Sequence, residues 1–179
     1  TMSLQIDQSG KVEDTTKDTV IAFSNRTSES VFVSKKIKRQ VQEYFRKIGK
    51  SKFFVDKTFA IIVYFLICDF KSTQEITIDL EYPGRDKFIK ALIIELLQAN
   101  KKPIHDINFA RIGNKPKAHY AAKNVFDGKR KPTKILSLKE ILGKQKDRWV
   151  FKRMYFNPGR HSGPGLLKPM LPKKRKMSR

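Results

Sequence analysis

The sequence is poor in acid. Its 179 residues hold 17 aspartates and glutamates against 39 lysines and arginines, a formal net charge of +22. A surplus of that sign disfavours cationic partners and draws polyanions, and nucleic acid gains most because its condensed counterions are released on contact. Cysteine is nearly absent. With Cys68 alone there is neither an intrachain disulfide nor a cysteine-based zinc site, which suits a reducing, intracellular setting. Long apolar runs are missing too: residues 59–68 (FAIIVYFLIC) reach about half of the roughly twenty residues a spanning helix needs, so they are expected in the core. The opening TMSLQIDQSG has no basic or apolar leader region, and no secretory signal is expected.

What is present divides the chain in two. Residues 1–128 carry 22 basic and 15 acidic residues, whereas residues 129–179 carry 17 basic and only 2 acidic. The first part reads as a domain with a core and the second as a basic arm. Three short β-rich runs, at residues 4–7, 19–24 and 31–33, are separated by polar turns and suggest an antiparallel meander. From residue 35 to 48 the apolar positions Ile37, Val41, Tyr44, Phe45 and Ile48 take a helical spacing, and Gly49 ends it. Residues 53–68 mix β-branched residues with helix formers, and their length favours a helix. EITIDLE at residues 75–81 alternates as a strand does, broken by Tyr82-Pro83-Gly84; residues 85–98 then form an amphipathic helix with Phe88, Ile89, Leu92, Ile93, Leu96 and Leu97 inward. Residues 106–112 (DINFARI) read as a strand, and residues 115–126 as a helix whose small face is Ala118, Ala121, Ala122 and Val125. Strands first, then helices and strands in alternation, predict a mixed sheet covered by helices.

Beyond residue 128, Ser137-Leu138-Lys139-Glu140 is a capping box, predicting a short helix over residues 137–143. The rest is rich in proline and glycine and is expected to be extended. There Lys and Arg interleave with aromatic rings, so phosphates are neutralised while rings stack on unpaired bases. The candidate nucleic-acid contacts are Arg111, Lys115 and Lys117 in the domain, Lys129, Arg130 and Lys131 at the junction, and Arg148, Trp149, Phe151, Lys152, Arg153, Tyr155, Arg160, His161, Lys173, Lys174, Arg175 and Lys176 in the arm. The basic segment shows no amphipathic stripe, so no membrane partner is expected.

Three residues stand out inside the domain. Asp7 lies in LQIDQSG at the first strand, Asp79 in ITIDLEYPG at the fourth, and His119 in KPKAHYAAKNV on the last helix. Each has an ordinary reading: Asp7 as a turn former before Ser9-Gly10, Asp79 and Glu81 as the wet side of a strand, and His119 as a packing or surface residue. Together, and with the order of elements, they resemble the ribonuclease H-like fold; IDQSG is also similar to the Asp-Glu-Ser-Gly opening of some families of that fold, with Gln8 where an acid is usual. The resemblance implies an α/β domain over residues 1–128 with a mixed five-stranded sheet and flanking helices. It also implies Asp7, Asp79 and His119 as ligands of Mg2+ or Mn2+ and Glu81 as an auxiliary acid, with Asp56 and Glu43 as candidates for the acid expected on a middle helix. Two such ions about 4 Å apart activate water and stabilise the leaving oxygen of a phosphodiester.

Two functions follow as expectations. The first is a nucleic-acid-binding protein, RNA favoured over DNA, serving as a component of a ribosome or other ribonucleoprotein. The second is a two-metal-ion nuclease or a Holliday junction resolvase-like endonuclease. A cytoplasmic location is expected, with PKKRK at residues 172–176 also compatible with the nucleus.

Overall fold

A computed structural model of the chain describes residues 3–25, 27–71, 73–113 and 117–145. The arm beyond residue 145, and with it every candidate contact from Arg148 to Lys176, lies outside the described residues, as does Lys115. Among the described residues the chain is α/β, with one six-stranded mixed sheet and five α-helices.

Strands β1 (Leu4–Ser9), β2 (Thr19–Ser24) and β3 (Ser28–Val33) form the expected antiparallel meander. Helix α1 (Lys35–Lys47) follows, capped by Ser34, whose hydroxyl accepts from the Ile37 N–H; it ends at Gly49, where φ is +68°. Burying Val41 and Phe45 leaves Lys35, Lys36, Arg39, Arg46 and Lys47 in water, while Lys38 goes under with the apolar side. A 3-10 turn, Ser51–Phe53, leads into α2 (Phe54–Ile67), which is buried on almost every side because the sheet lies beneath it and helices flank it. The mixed 53–68 segment is thus a helix, and its all-round apolar character follows from all-round burial. Then come β4 (Glu75–Asp79), α3 (Asp86–Ala99), β5 (Asp106–Ala110) and α4 (Lys117–Phe126).

The sheet order is β5-β4-β1-β2-β3-β6. Parallel pairing of β1 with β4 and of β4 with β5 requires crossovers, which α1 to α3 supply. Helices α2 and α3 cover one face with the main core. Helix α4 covers the other: Ala118, Ala121, Ala122 and Val125 pack on Val20 and Ala22 of β2. The small residues let the α4 backbone approach the sheet closely.

The sheet has one strand more than the five expected. In β6 (Lys134–Ile135), two residues pair in parallel with Val31 and Phe32 of β3. Such a piece is too short to show alternation, so nothing local marks it. The capping box starts α5 (Leu138–Gln145): the Ser137 hydroxyl accepts from the Glu140 N–H at 3.3 Å, and Glu140 accepts from the Ser137 N–H at 2.8 Å. Leu136 and Ile141 are buried in the main core, so residues 134–145 belong to the folded body.

The loop between β1 and β2 is held from beneath. Lys38, wholly buried on α1, donates its three ammonium hydrogens to the Lys11 and Asp14 carbonyls and the Thr19 hydroxyl, at 2.7–2.8 Å. Desolvation pushes this ammonium down to about 8. Gly10 turns the chain into the loop with φ +74°, and a Cβ there would stand 2.1 Å from the Asp18 carbonyl oxygen and 2.6 Å from the Phe126 ring.

Gly10→Ala is therefore expected to lose about 2–4 kcal/mol. Gly143→Ala, inside α5 with open space around it, is expected to gain about 0.5–1 kcal/mol. Urea midpoints of the two variants against the wild type check both signs.

Candidate metal centre

The parallel register of β1 and β4 pairs Leu4 with Ile76, Gln5 with Thr77 and Ile6 with Ile78. Asp7 and Asp79 are the next residues on the two strands. Because side chains alternate, both leave the face occupied by Ile6 and Ile78 and turn to the α4 side. Asp7, Asp79 and Glu81 each bring an oxygen to within 4.8 Å of the others. Asp7 is buried, and Asp79 and Glu81 are half-buried.

Each carboxylate has a fixed partner or a stated perturbation. The Gln8 N–H donates to Asp7 Oδ1 at 2.6 Å, and the Ile112 N–H donates to Asp79 Oδ1 at 2.8 Å. His119, on α4, lies with Nδ1 3.1 Å from Asp7 Oδ2. Burial raises the Asp7 carboxyl above its ordinary range, and the neighbouring Asp79 charge adds to this, against lowering by the Gln8 N–H and His119. Glu81 is raised chiefly by burial, then by Asp79 and Asp7. When ionised together these carboxylates repel one another, and a divalent cation among them would relieve that repulsion directly.

The donor set fits a hard cation. Three carboxylates offer oxygen ligands, the chemistry of Mg2+ and Mn2+, and sulfur plays no part. His119, the third ligand the resemblance implies, is brought to Asp7. Among the described residues the convergent group is Asp7, Asp79 and Glu81, and His119 contacts the Asp7 carboxylate. An imidazole N–H donated to a ligating carboxylate fixes that carboxylate's orientation. The middle-helix candidates stay apart from this group: Asp56 pairs with Arg85 at 3.1 Å, and Glu43 with Arg46 at 2.8 Å.

A second network was not legible in the sequence. Gln8 points to the opposite side of β1 from Asp7, where its amide donates to the Gly10 carbonyl at 2.9 Å and lies 3.4 Å from the Tyr82 hydroxyl. The Tyr82 hydroxyl donates to Glu13 at 3.0 Å and accepts from the Val12 N–H at 3.3 Å. Tyr82 packs edge-on against Phe59, so the β1–β2 loop is tied to the segment that carries Glu81. Tyr82 reads in sequence as part of a strand-breaking turn, and its ring at the end of an alternating strand was the available signal. The same loop brings Lys11 and Glu13 near enough for their charges to act on Glu81. Of the candidate nucleic-acid contacts in the described residues, Arg111, Lys117, Lys129, Arg130 and Lys131 are all exposed.

Among the described residues no helix is long and apolar enough to cross a membrane. Comparison with protein-family models, curated proteins and solved structures finds no match to this chain.

With metal chelated, native Asp7 and Glu81 keep their protons to higher pH than the unfolded chain does. The native state then binds more protons, and stability falls as pH rises from the ordinary carboxylate range, about 4, through the raised values. Asp7→Asn, which keeps an acceptor for the Gln8 N–H, is expected to flatten this fall and to match or exceed the wild type in urea midpoint at neutral pH. Adding Mn2+ at about 100 times its dissociation constant is expected to raise the wild-type Tm by roughly 5–10 °C. Asp79→Asn should lose most of that gain, and the wild-type gain should shrink as the pH is lowered and protons compete at Asp7 and Glu81. Thermal melts in chelator and in Mn2+ read both effects.

Proposed function

We propose that this protein is a divalent-metal-dependent nuclease built on a ribonuclease H-like domain, and the observation that carries the reading is the convergence of Asp7, Asp79 and Glu81 beside His119. The order of elements supports the same reading: three strands, helices, a strand, a helix, a strand and a helix. Asp7 lies within the first strand, Asp79 ends the fourth with Glu81 just beyond it, and the histidine is on α4.

Charge supplies the argument for a metal. A chain of net charge +22 draws nucleic acid in, yet a phosphodiester brought against three carboxylates is repelled. A cation between them removes the conflict. Asp7, Asp79 and Glu81 would hold Mg2+ or Mn2+, which when bound supplies an activated water and neutralises charge developing on the phosphate. His119, with Nδ1 3.1 Å from Asp7 Oδ2, orients that carboxylate. Arg111 and Lys117, with Lys129, Arg130 and Lys131 further along the chain, neutralise backbone phosphates.

A second reading is a binding protein without turnover, with RNA as its partner in a ribosome or other ribonucleoprotein. Charge density favours it: 17 basic residues among residues 129–179 suit tight, salt-dependent attachment. The two readings part on one experiment. Labelled structured RNA, RNA–DNA hybrid, single strand and four-way DNA junction are incubated with Mg2+ or Mn2+, and cutting and binding are read on the same samples. The nuclease reading expects metal-dependent cutting of at least one substrate, lowered by about 100-fold or more in Asp7→Asn and Asp79→Asn and by roughly 10–100-fold in His119→Ala. Tight binding without cutting, unchanged in the three variants, would establish the second reading.

A further inference from the structure

Helix α4 presents an aromatic ring to solvent next to the acidic centre. Tyr120 is 49% exposed, while its neighbours Ala121 and Ala122 anchor the helix on the sheet. Its ring lies 5.8 Å from that of His119, centroid to centroid and nearly perpendicular, and His119 is itself on Asp7. Lys117 and Lys123 stand three residues before and after Tyr120, about 4.5 Å along the axis each way on one side of the helix. Both are exposed. Lys117 makes no ion pair among the described residues, and Lys123 pairs with Asp127 at 3.1 Å on the open surface, a contact that polyanion phosphate displaces at little cost.

From this arrangement we infer that Tyr120 is a stacking platform for an unpaired nucleotide, with Lys117 and Lys123 holding the phosphates on either side, so that the segment led past His119 into the centre is single-stranded. The fold does not use the exposed side of this ring, since α4 packs through its opposite face, so the ring is available to a ligand. In a duplex the base faces are covered by their neighbours, and an aromatic face on a helix meets only an unpaired base. Sequence-independent stacking also suits a surface whose other contacts are all to phosphate. The inference rests on the nuclease reading for the phrase "into the centre"; the stacking contact itself does not.

The test uses the full chain in chelator, at salt high enough to weaken phosphate attachment, with a labelled single strand and the same sequence as a duplex. Tyr120→Ala is expected to weaken single-strand binding by about tenfold and to leave duplex binding unchanged, while Tyr120→Phe binds as the wild type does. Melting temperatures of both variants should match the wild type, since the ring is exposed. An abasic site moved along the strand supplies the coupling: in the wild type one position costs about as much as Tyr120→Ala, and in Tyr120→Ala that position costs nothing further. Equal weakening of single strand and duplex, or additive effects at every abasic position, overturns the inference. Asp79→Asn separates the two claims. Coupling at Tyr120 that persists in Asp79→Asn, in a protein whose wild type cuts nothing with Mn2+, upholds the platform and sinks the nuclease reading.

Discussion

Two aspartates held side by side on adjacent parallel strands repel each other, and much of the architecture serves to keep them there. The register of β1 against β4 is fixed from below, where Ile6 and Ile78 are sealed into the main core. A slip of β1 by one residue would carry Ile6 to the α4 side and Asp7 into the core, which the loss of that apolar burial opposes. Backbone N–H groups from Gln8 and Ile112 then fix each carboxylate, and α4 closes over them because its alanines permit close approach. Burial raises Asp7 and Glu81, which marks the arrangement as one that folding alone does not favour. Perturbed carboxyls kept in place by a well-packed core are the feature on which the proposal of a metal centre rests.

The surroundings reinforce the same point. Lys38 spends three donors on the loop that follows β1, and Tyr82 ties that loop to the segment after β4. The two chain segments that deliver acids are thus joined twice, once through the sheet and once through side chains on its main-core side. Around this negative spot lies a strongly positive chain. A field of that sign attracts polyanions at long range, whereas the acidic cluster is a local exception to it, so opposite charges reside in different parts of one molecule.

Much of this was legible in the sequence where a signal is local. Alternation in EITID marked β4, the spacing of Ile37, Val41 and Phe45 marked α1, and Ser137 with Glu140 marked the start of α5. Asp7 and Asp79 were legible because each sits at the end of an alternating run, where a carboxylate has no core role. What depends on pairing across the chain was hidden. β6 is two residues recruited by β3 from a hundred positions away, and no local pattern foretells it. Gln8, which stands as a departure from an acidic motif, is in the structure a brace toward Gly10 and Tyr82 on the far side of β1. His119 reads in sequence as a ligand, and the structure places its Nδ1 3.1 Å from Asp7, a contact across 112 positions that sequence does not carry.

The most direct measurement is anomalous scattering from crystals soaked in Mn2+. A peak bounded by the Asp7, Asp79 and Glu81 carboxylates, absent from Asp79→Asn crystals treated in the same way, is the expected result. Ordered carboxylates with no anomalous peak among them at saturating Mn2+ would contradict a metal centre.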